Sequence, residues 1–180
     1  MEDLSLHILD IAQNSIEAGA TEVEIDLTES PKEDHLEIEV RDNGRGMDPE
    51  TAARATDPFF TSRTTRRVGL GLPLLAEAAR AAGGSLTLES RPGKGSRVRA
   101  VFRHGHIDRA PVGDIETTLM VLFASQPHIR IRFRHRVASA EFELDSEALR
   151  SAGIVPSSPE GMGALRILIR EGERSLHNRG

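Results

Sequence analysis

Apolar and polar positions follow two different rhythms along this chain. Over residues 3–18, Leu4, Ile8, Ile11, Ala12 and Ile16 recur at three- and four-residue steps, which predicts a helix with a wide apolar stripe. Asp3, His7, Asp10, Asn14 and Glu17 share the opposite face, and Gly19 ends the helix. The period then becomes two. Val23, Ile25 and Leu27 alternate with Glu22, Glu24 and Asp26, and Leu36, Ile38 and Val40 alternate with Glu37, Glu39 and Arg41. These are two half-buried strands of one sheet, with Ser30, Pro31 and Lys32 in the turn region. Residues 48–68 show no sustained periodicity and, apart from Phe59 and Phe60, are rich in Thr, Ser and Arg. A second helix is predicted from near Leu72, with Pro73 in its first turn, to Gly83 and Gly84. Strands around 85–90 and 97–103 flank Pro92, Gly93, Lys94 and Gly95.

After His104 the pattern changes. Residues 106–112 read as a linker, and Asp114 can cap a helix to about residue 125. A hairpin joins 129–137 to 140–144, and Ser157, Ser158, Pro159 and Glu160 open a last helix towards Leu176. The expected organisation is a domain over 1–105 and a smaller α+β extension over 106–180. In that extension Arg130, Arg132, Arg134 and Arg136 alternate along one strand while Glu141 and Glu143 alternate on the next. Cross-strand pairing is expected to neutralise much of the arginine stripe, with Ile129, Ile131, Phe133, Phe142 and Leu144 as the buried face. The extension reads as a surface for partner docking or for dimerisation with a second copy. His104 and His106 lack further ligands at metal-binding spacing and read as linker.

Composition narrows the function classes. Of 180 residues, 38% are hydrophobic and 28% charged, a globular balance. A net charge of −5 argues against a general nucleic-acid binder. The absence of cysteine excludes disulfides, thiolate metal sites and cysteine nucleophiles. No stretch approaches the ~18 apolar residues of a membrane span, and the first residues are acidic rather than leader-like. A cytoplasmic protein without membrane association is expected.

Several short motifs carry candidate chemistry. A strand ends in Asp42, followed by Gly44 and Gly46; a carboxylate there can accept the exocyclic amine of adenine, which guanine lacks at that place, although Asp-x-Gly-x-Gly also makes an ordinary turn. Asn14 stands mid-helix, where its propensity is poor, and its amide oxygen suits Mg²⁺. Asp10 lies one turn earlier on the same face, and for either residue taken alone a solvated helix face is the preferred reading. Gly69, Leu70, Gly71 and Leu72 make a tight loop before a helix start, where backbone N–H groups can face phosphates; a plain helix start fits too.

Taken in order, these elements resemble the GHKL ATP-binding superfamily of gyrase-type topoisomerases, heat-shock chaperones, histidine kinases, mismatch-repair ATPases and anti-sigma-factor kinases. The N box is HILDIAQNSIEAGA, the glycine boxes are DNGRGM and GLGLPLL, the phenylalanine block is DPFFTSR and the terminal box is GKGSR. The resemblance covers about residues 5–103. It implies a two-layer α/β sandwich binding ATP or ADP with Mg²⁺. Asp42 would meet the adenine amine with Ser96 assisting through water, Asn14 would hold Mg²⁺, and Gly44 and Gly46 would shape the base pocket. Gly69 and Gly71 would approach the phosphates, and Met47, Thr61, Leu70 and Leu72 would complete the nucleotide contacts. Residues 56–68 would form a lid, bringing Arg63, Arg66 and Arg67 to the triphosphate. Asp10 stands where hydrolysing members carry a glutamate general base, one methylene longer. With the module starting at residue 1, no phosphoacceptor domain is expected before it, and His7 reads as a local polar residue. The expected function is a regulatory protein that phosphorylates or controls an unidentified partner protein in trans; the alternatives are a stand-alone ATPase and a non-catalytic ATP sensor.

Overall fold

A computed structural model describes residues 3–57 and 71–177. The elements in chain order are α1 (Leu4–Glu17), β1 (Glu22–Ser30), β2 (His35–Asp42), α2 (Pro49–Ala55), α3 (Gly71–Ala81), β3 (Ser85–Ser90), β4 (Ser96–Arg103), α4 (Ile115–Ser125), β5 (Arg130–Val137), β6 (Ala140–Asp145), α5 (Ser146–Ser151) and α6 (Pro159–His177). The strands form one six-stranded sheet in the order β3-β4-β2-β1-β5-β6. Neighbours run antiparallel except β1 and β5, which are parallel. Helices α1, α3 and α6 pack against the sheet, and α4 packs between α1 and α6. This is a two-layer α/β arrangement.

Alternation in the strands explains why one face is covered. Val23, Ile25 and Leu27 on β1, Leu36, Ile38 and Val40 on β2, and Val98, Ala100 and Phe102 on β4 are all buried. Ile131 and Phe133 on β5 and Leu144 on β6 continue the same inner rows into the same core cluster. Phe142 and Ile129 are only partly buried, and the position two beyond Phe133 is occupied by a buried histidine, His135. On α1 the polar face is narrower than the periodicity predicts. His7 and Ser15 are buried with the apolar stripe, while Leu6 is exposed.

The outer face is a lattice of charges. The arginine stripe of β5 stands opposite Glu141 and Glu143 in the β6 register, but its ion pairs run mainly to the other neighbour. Arg132 pairs with Glu22 and Glu24, and Arg134 and Arg136 share Asp26, all on β1. Arg130 reaches Asp145 at 2.7 Å and Glu147 at 3.0 Å. The parallel β1–β5 pairing, invisible in local patterning, is the reason: it sets an acidic row directly beside a basic one.

Two short helices had no period to announce them. In α2, Asp48 caps by accepting the Thr51 N–H at 2.9 Å, with Pro49 at the first helical position. In α5, Asp145 plays the same capping role towards Glu147. The start of α1 is capped from a distance, since the N–H groups of Leu4 and Ser5 donate to the carbonyls of Pro111 and Val112. Among the described residues, no helix is long and apolar enough to cross a membrane.

Candidate functional site

The end of β2 and the start of β4 are held side by side, because Asp42 and Ser96 are direct partners in their antiparallel register. The Asp42 carboxylate is fixed on both oxygens. The backbone N–H of Gly44 donates to Oδ1 at 2.8 Å, and the Ser15 hydroxyl donates to Oδ2 at 2.9 Å. Ser15 itself is buried on α1, one residue beyond the half-buried Asn14. One helix therefore presents both an amide oxygen and the donor that orients the carboxylate.

The loops on either side are folded too tightly for side chains. Gly46 has φ +66, and a Cβ there would lie 2.0 Å from the carbonyl oxygen of Arg91. Gly95 has φ +74, and a Cβ there would lie 1.9 Å from the carbonyl oxygen of Asp42. Only glycine meets both demands, the left-handed backbone and the close approach. Ser90 ties these loops together: its Oγ accepts the Met47 N–H at 2.8 Å and lies 2.9 Å from Ser96 Oγ.

The result is a cleft of about 400 Å³ between α1 and the β2 and β4 ends. Of the residues singled out from sequence, Asn14, Asp42, Gly46, Met47, Leu72 and Ser96 all line it. Ile11 and Val98 supply apolar wall, and Arg45 stands on its lining. Gly44 lies behind Asp42, as its donor. Asp10 and Gly71 are absent from the lining formed by the described residues, but they meet each other. A Cβ on Gly71 would come 3.2 Å from the Asp10 Cβ, so the first turn of α3 rests directly on that side chain. Asp10 is exposed. Thr61, Arg63, Gly69 and Leu70 lie outside the described residues, as do Phe59, Phe60, Arg66, Arg67 and most of the expected lid.

Sequence reasoning missed Ser15 and Ser90. Each carries a signal in hindsight: Ser15 is a polar residue on the buried side of an amphipathic helix, and Ser90 is a polar residue in the inward row of Leu86 and Leu88.

A second polar cluster occupies the opposite end of the inner face. His135 is 2% exposed, with Nε2 3.0 Å from Glu29 Oε1 and Nδ1 3.0 Å from Glu173 Oε1. Both ring nitrogens face carboxylates, so both must donate and the ring is cationic. Burial opposes that charge, but the hydrogen bonds donated to Glu173 and Glu29 outweigh it and push the His135 pKa up to about 9. The same hydrogen bond with His135 holds the Glu29 carboxyl below its ordinary value, with His104 adding a contact at 3.1 Å. Among the described residues no group of three or more acidic, histidine or cysteine side chains is arranged to hold a metal ion.

Residues 2–106 match the family described as histidine kinase-, DNA gyrase B-, and HSP90-like ATPase. The sensor protein kinase FleS of Pseudomonas aeruginosa is 44% identical over 89 residues, 49% of this chain and 22% of its own. Sporulation kinase C of Bacillus subtilis is 31% identical over 94 residues, 52% of this chain and again 22% of its own. This chain thus spans about a fifth of the curated relatives it matches. Among solved structures, the N-terminal domain of a DNA repair protein superposes with a TM-score of 0.58 at 17% identity, covering 90% of this chain and 59% of that one. The Aquifex aeolicus MutL ATPase domain complexed with ADP gives 0.50 at 14% identity, covering 86% and 68%. Coverage of this extent reaches well past residue 106, so the likeness in fold includes part of the region beyond the family match. The family match spans more than half of the chain and joins the GHKL resemblance to the cleft at Asp42: the chain belongs to the histidine kinase-, DNA gyrase B- and HSP90-like ATPases.

Proposed function

We propose that the cleft binds ATP with Mg²⁺ and that the chain is a regulatory protein that phosphorylates or controls a partner protein in trans. The observation that carries the reading is the Asp42 carboxylate, oriented by Ser15 and Gly44 and set in the cleft wall across from Ser96. A carboxylate so held accepts an exocyclic amine and rejects the guanine carbonyl at the same place. A cleft of about 400 Å³ suits a nucleotide-sized ligand.

Asn14 supplies one hard oxygen at the cleft. A magnesium ion characteristically takes one or two protein oxygens and completes its shell with water and substrate phosphate, which fits a site built from a single amide. When bound with nucleotide, the ion neutralises phosphate charge. Asp10 is the candidate proton acceptor, for a water molecule or for an incoming hydroxyl or imidazole of a partner. Its contact with Gly71, one of the two glycines that the resemblance assigns to the phosphates, supports that role. Thr61, Arg63, Gly69, Leu70 and Leu72 keep their assigned nucleotide roles within this proposal. The 106–180 region is assigned to partner contact or to association of two copies, supported by the exposed apolar side chains Val121 on α4 and Ile167 on α6.

Labelled ATP separates the readings. Binding that is lost in Asp42→Asn supports the site; equal ATP affinity in that variant removes it. Phosphate release without a partner, abolished by Asp10→Asn, would make the chain an ATPase. Label transfer only on addition of a captured partner supports phosphorylation in trans, and binding with neither outcome leaves an ATP sensor.

A further inference from the structure

Ser90 has no part in the nucleotide roles assigned above, yet its hydroxyl stands at the meeting point of the cleft's loops. It is the last residue of β3 and does not itself line the cleft. Its Oγ accepts the Met47 N–H at 2.8 Å and lies 3.0 Å from the carbonyl oxygen of Gly95 and 2.9 Å from Oγ of Ser96.

A serine hydroxyl has one proton and two lone pairs. The Met47 amide occupies one lone pair in every arrangement, because an N–H only donates. Two patterns remain. In the first, Ser90 donates to Gly95 and accepts from Ser96, so Ser96 offers only lone pairs to the cleft. In the second, Ser90 donates to Ser96, and the proton of Ser96 is free to turn into the cleft. Both patterns keep Ser90 bonded to Met47 and Ser96; the second gives up the bond to the Gly95 carbonyl and reverses the polarity that Ser96 shows.

We infer that Ser90 is a positioning residue for base recognition, acting through Ser96 and through the Gly46–Met47 loop. The inference rests on the adenine-nucleotide reading of the cleft. A purine edge carries an amine donor next to a ring-nitrogen acceptor, so a Ser96 hydroxyl that reverses polarity without losing its bond to Ser90 can serve either, directly or through a water. Ser96 stands across from Asp42 in the β2–β4 register. Ser15 and Gly44 therefore orient one wall of the base pocket, and Ser90 orients the other. In the first pattern the same hydroxyl also clamps the Met47 turn to the Gly95 turn, where Gly46 already lies hard against the Arg91 carbonyl.

Four full-length proteins test this: wild type, Ser90→Ala, Ser96→Ala and the double variant, each titrated with MgATP by calorimetry and followed by thermal unfolding. Ser90→Ala is expected to weaken ATP roughly five- to tenfold, the scale of one or two lost hydrogen bonds. The double variant is expected to lose clearly less than the product of the single losses, because Ser90 works partly through Ser96. ATP affinity within twofold of wild type in Ser90→Ala overturns the inference, whatever its melting temperature, and so do losses that multiply. Should Ser90→Ala fail to fold, Ser90→Cys, a weak donor and acceptor, takes its place in the same cycle. A wild-type protein that does not bind ATP overturns the nucleotide reading and this inference with it, a result visible before any variant is made.

Discussion

The two ends of β1 carry the two polar clusters of the inner sheet face, and they are built on opposite rules. Val23, near one end, is paired with Asp42; Glu29, roughly 20 Å along the strand, meets His135. At the Asp42 end every donor comes from the protein, yet the carboxylate remains in the wall of an open cleft and keeps lone pairs to offer. At the Glu29 end the imidazole spends both nitrogens on carboxylates, and the ring is almost wholly buried. The same residue types thus make a receptive site in one place and a closed staple in the other. What separates them is whether hydrogen-bonding capacity is used up inside the protein.

The largest expected effect falls on the staple. His135→Ala leaves Glu29 and Glu173 facing each other across a hole, which should cost about 3–5 kcal/mol. Chemical denaturation would measure it, and ATP affinity should stay within twofold; a coupled loss of binding would show that the two ends are not independent. Gly95→Ala should cost about 3 kcal/mol and also damage binding, because the new methyl would sit against the Asp42 carbonyl in a left-handed backbone. Equal ATP affinity there would break the claim that the loop geometry shapes the cleft.

Titration gives the next effect. The His135 pKa is raised from 6.5 to about 9, so its stabilisation is fully present below pH 6.5 and disappears as pH rises through 9. At neutral pH this is worth on the order of 2 kcal/mol. Glu29 is lowered from 4.5, so its share is present above pH 4.5 and lost on acidification. Melting temperature should therefore form a plateau between about pH 5 and 7, and His135→Phe should flatten its alkaline slope. The smallest effect belongs to Ser15→Ala, which removes one donor to Asp42. ATP should bind about tenfold more weakly with little change in melting temperature; the reverse pattern would make Ser15 a packing residue alone.

Much of the fold could be read from period. The α1 stripe, the β1 and β2 alternation and the Asp114 cap all came from local chemistry, and the structure agrees with them. The cleft was legible only from the order of the motifs, since Asn14 alone fits a solvated helix face and Asp42 before two glycines fits a turn; the structure sets both on one lining. It was not legible where ordinary serines acquire a role from partners distant in sequence, Ser15 from Asp42 and Ser90 from Met47. His135 was hidden for the same reason. It sits in an alternating strand where an apolar residue was due, and its two carboxylates come from Glu29 and Glu173. The arginine stripe was read as neutralised but credited to the wrong neighbour, because parallel pairing of β5 with β1 leaves no trace in either segment.

That pairing bears on how the protein can be cut. A fragment ending near residue 106, where the family match stops, would leave the nine-residue β1 as an open sheet margin. It would also strip the first turn of α1 of the carbonyls of Pro111 and Val112. A bare edge of β1, still bonded to β2 on its other side, beside an uncapped helix exposes backbone groups to association between copies and to local melting, which only the acidic outer row of β1 opposes. The nucleotide-binding part defined by likeness is therefore expected to express as aggregate, and to become soluble once the chain is extended through β5.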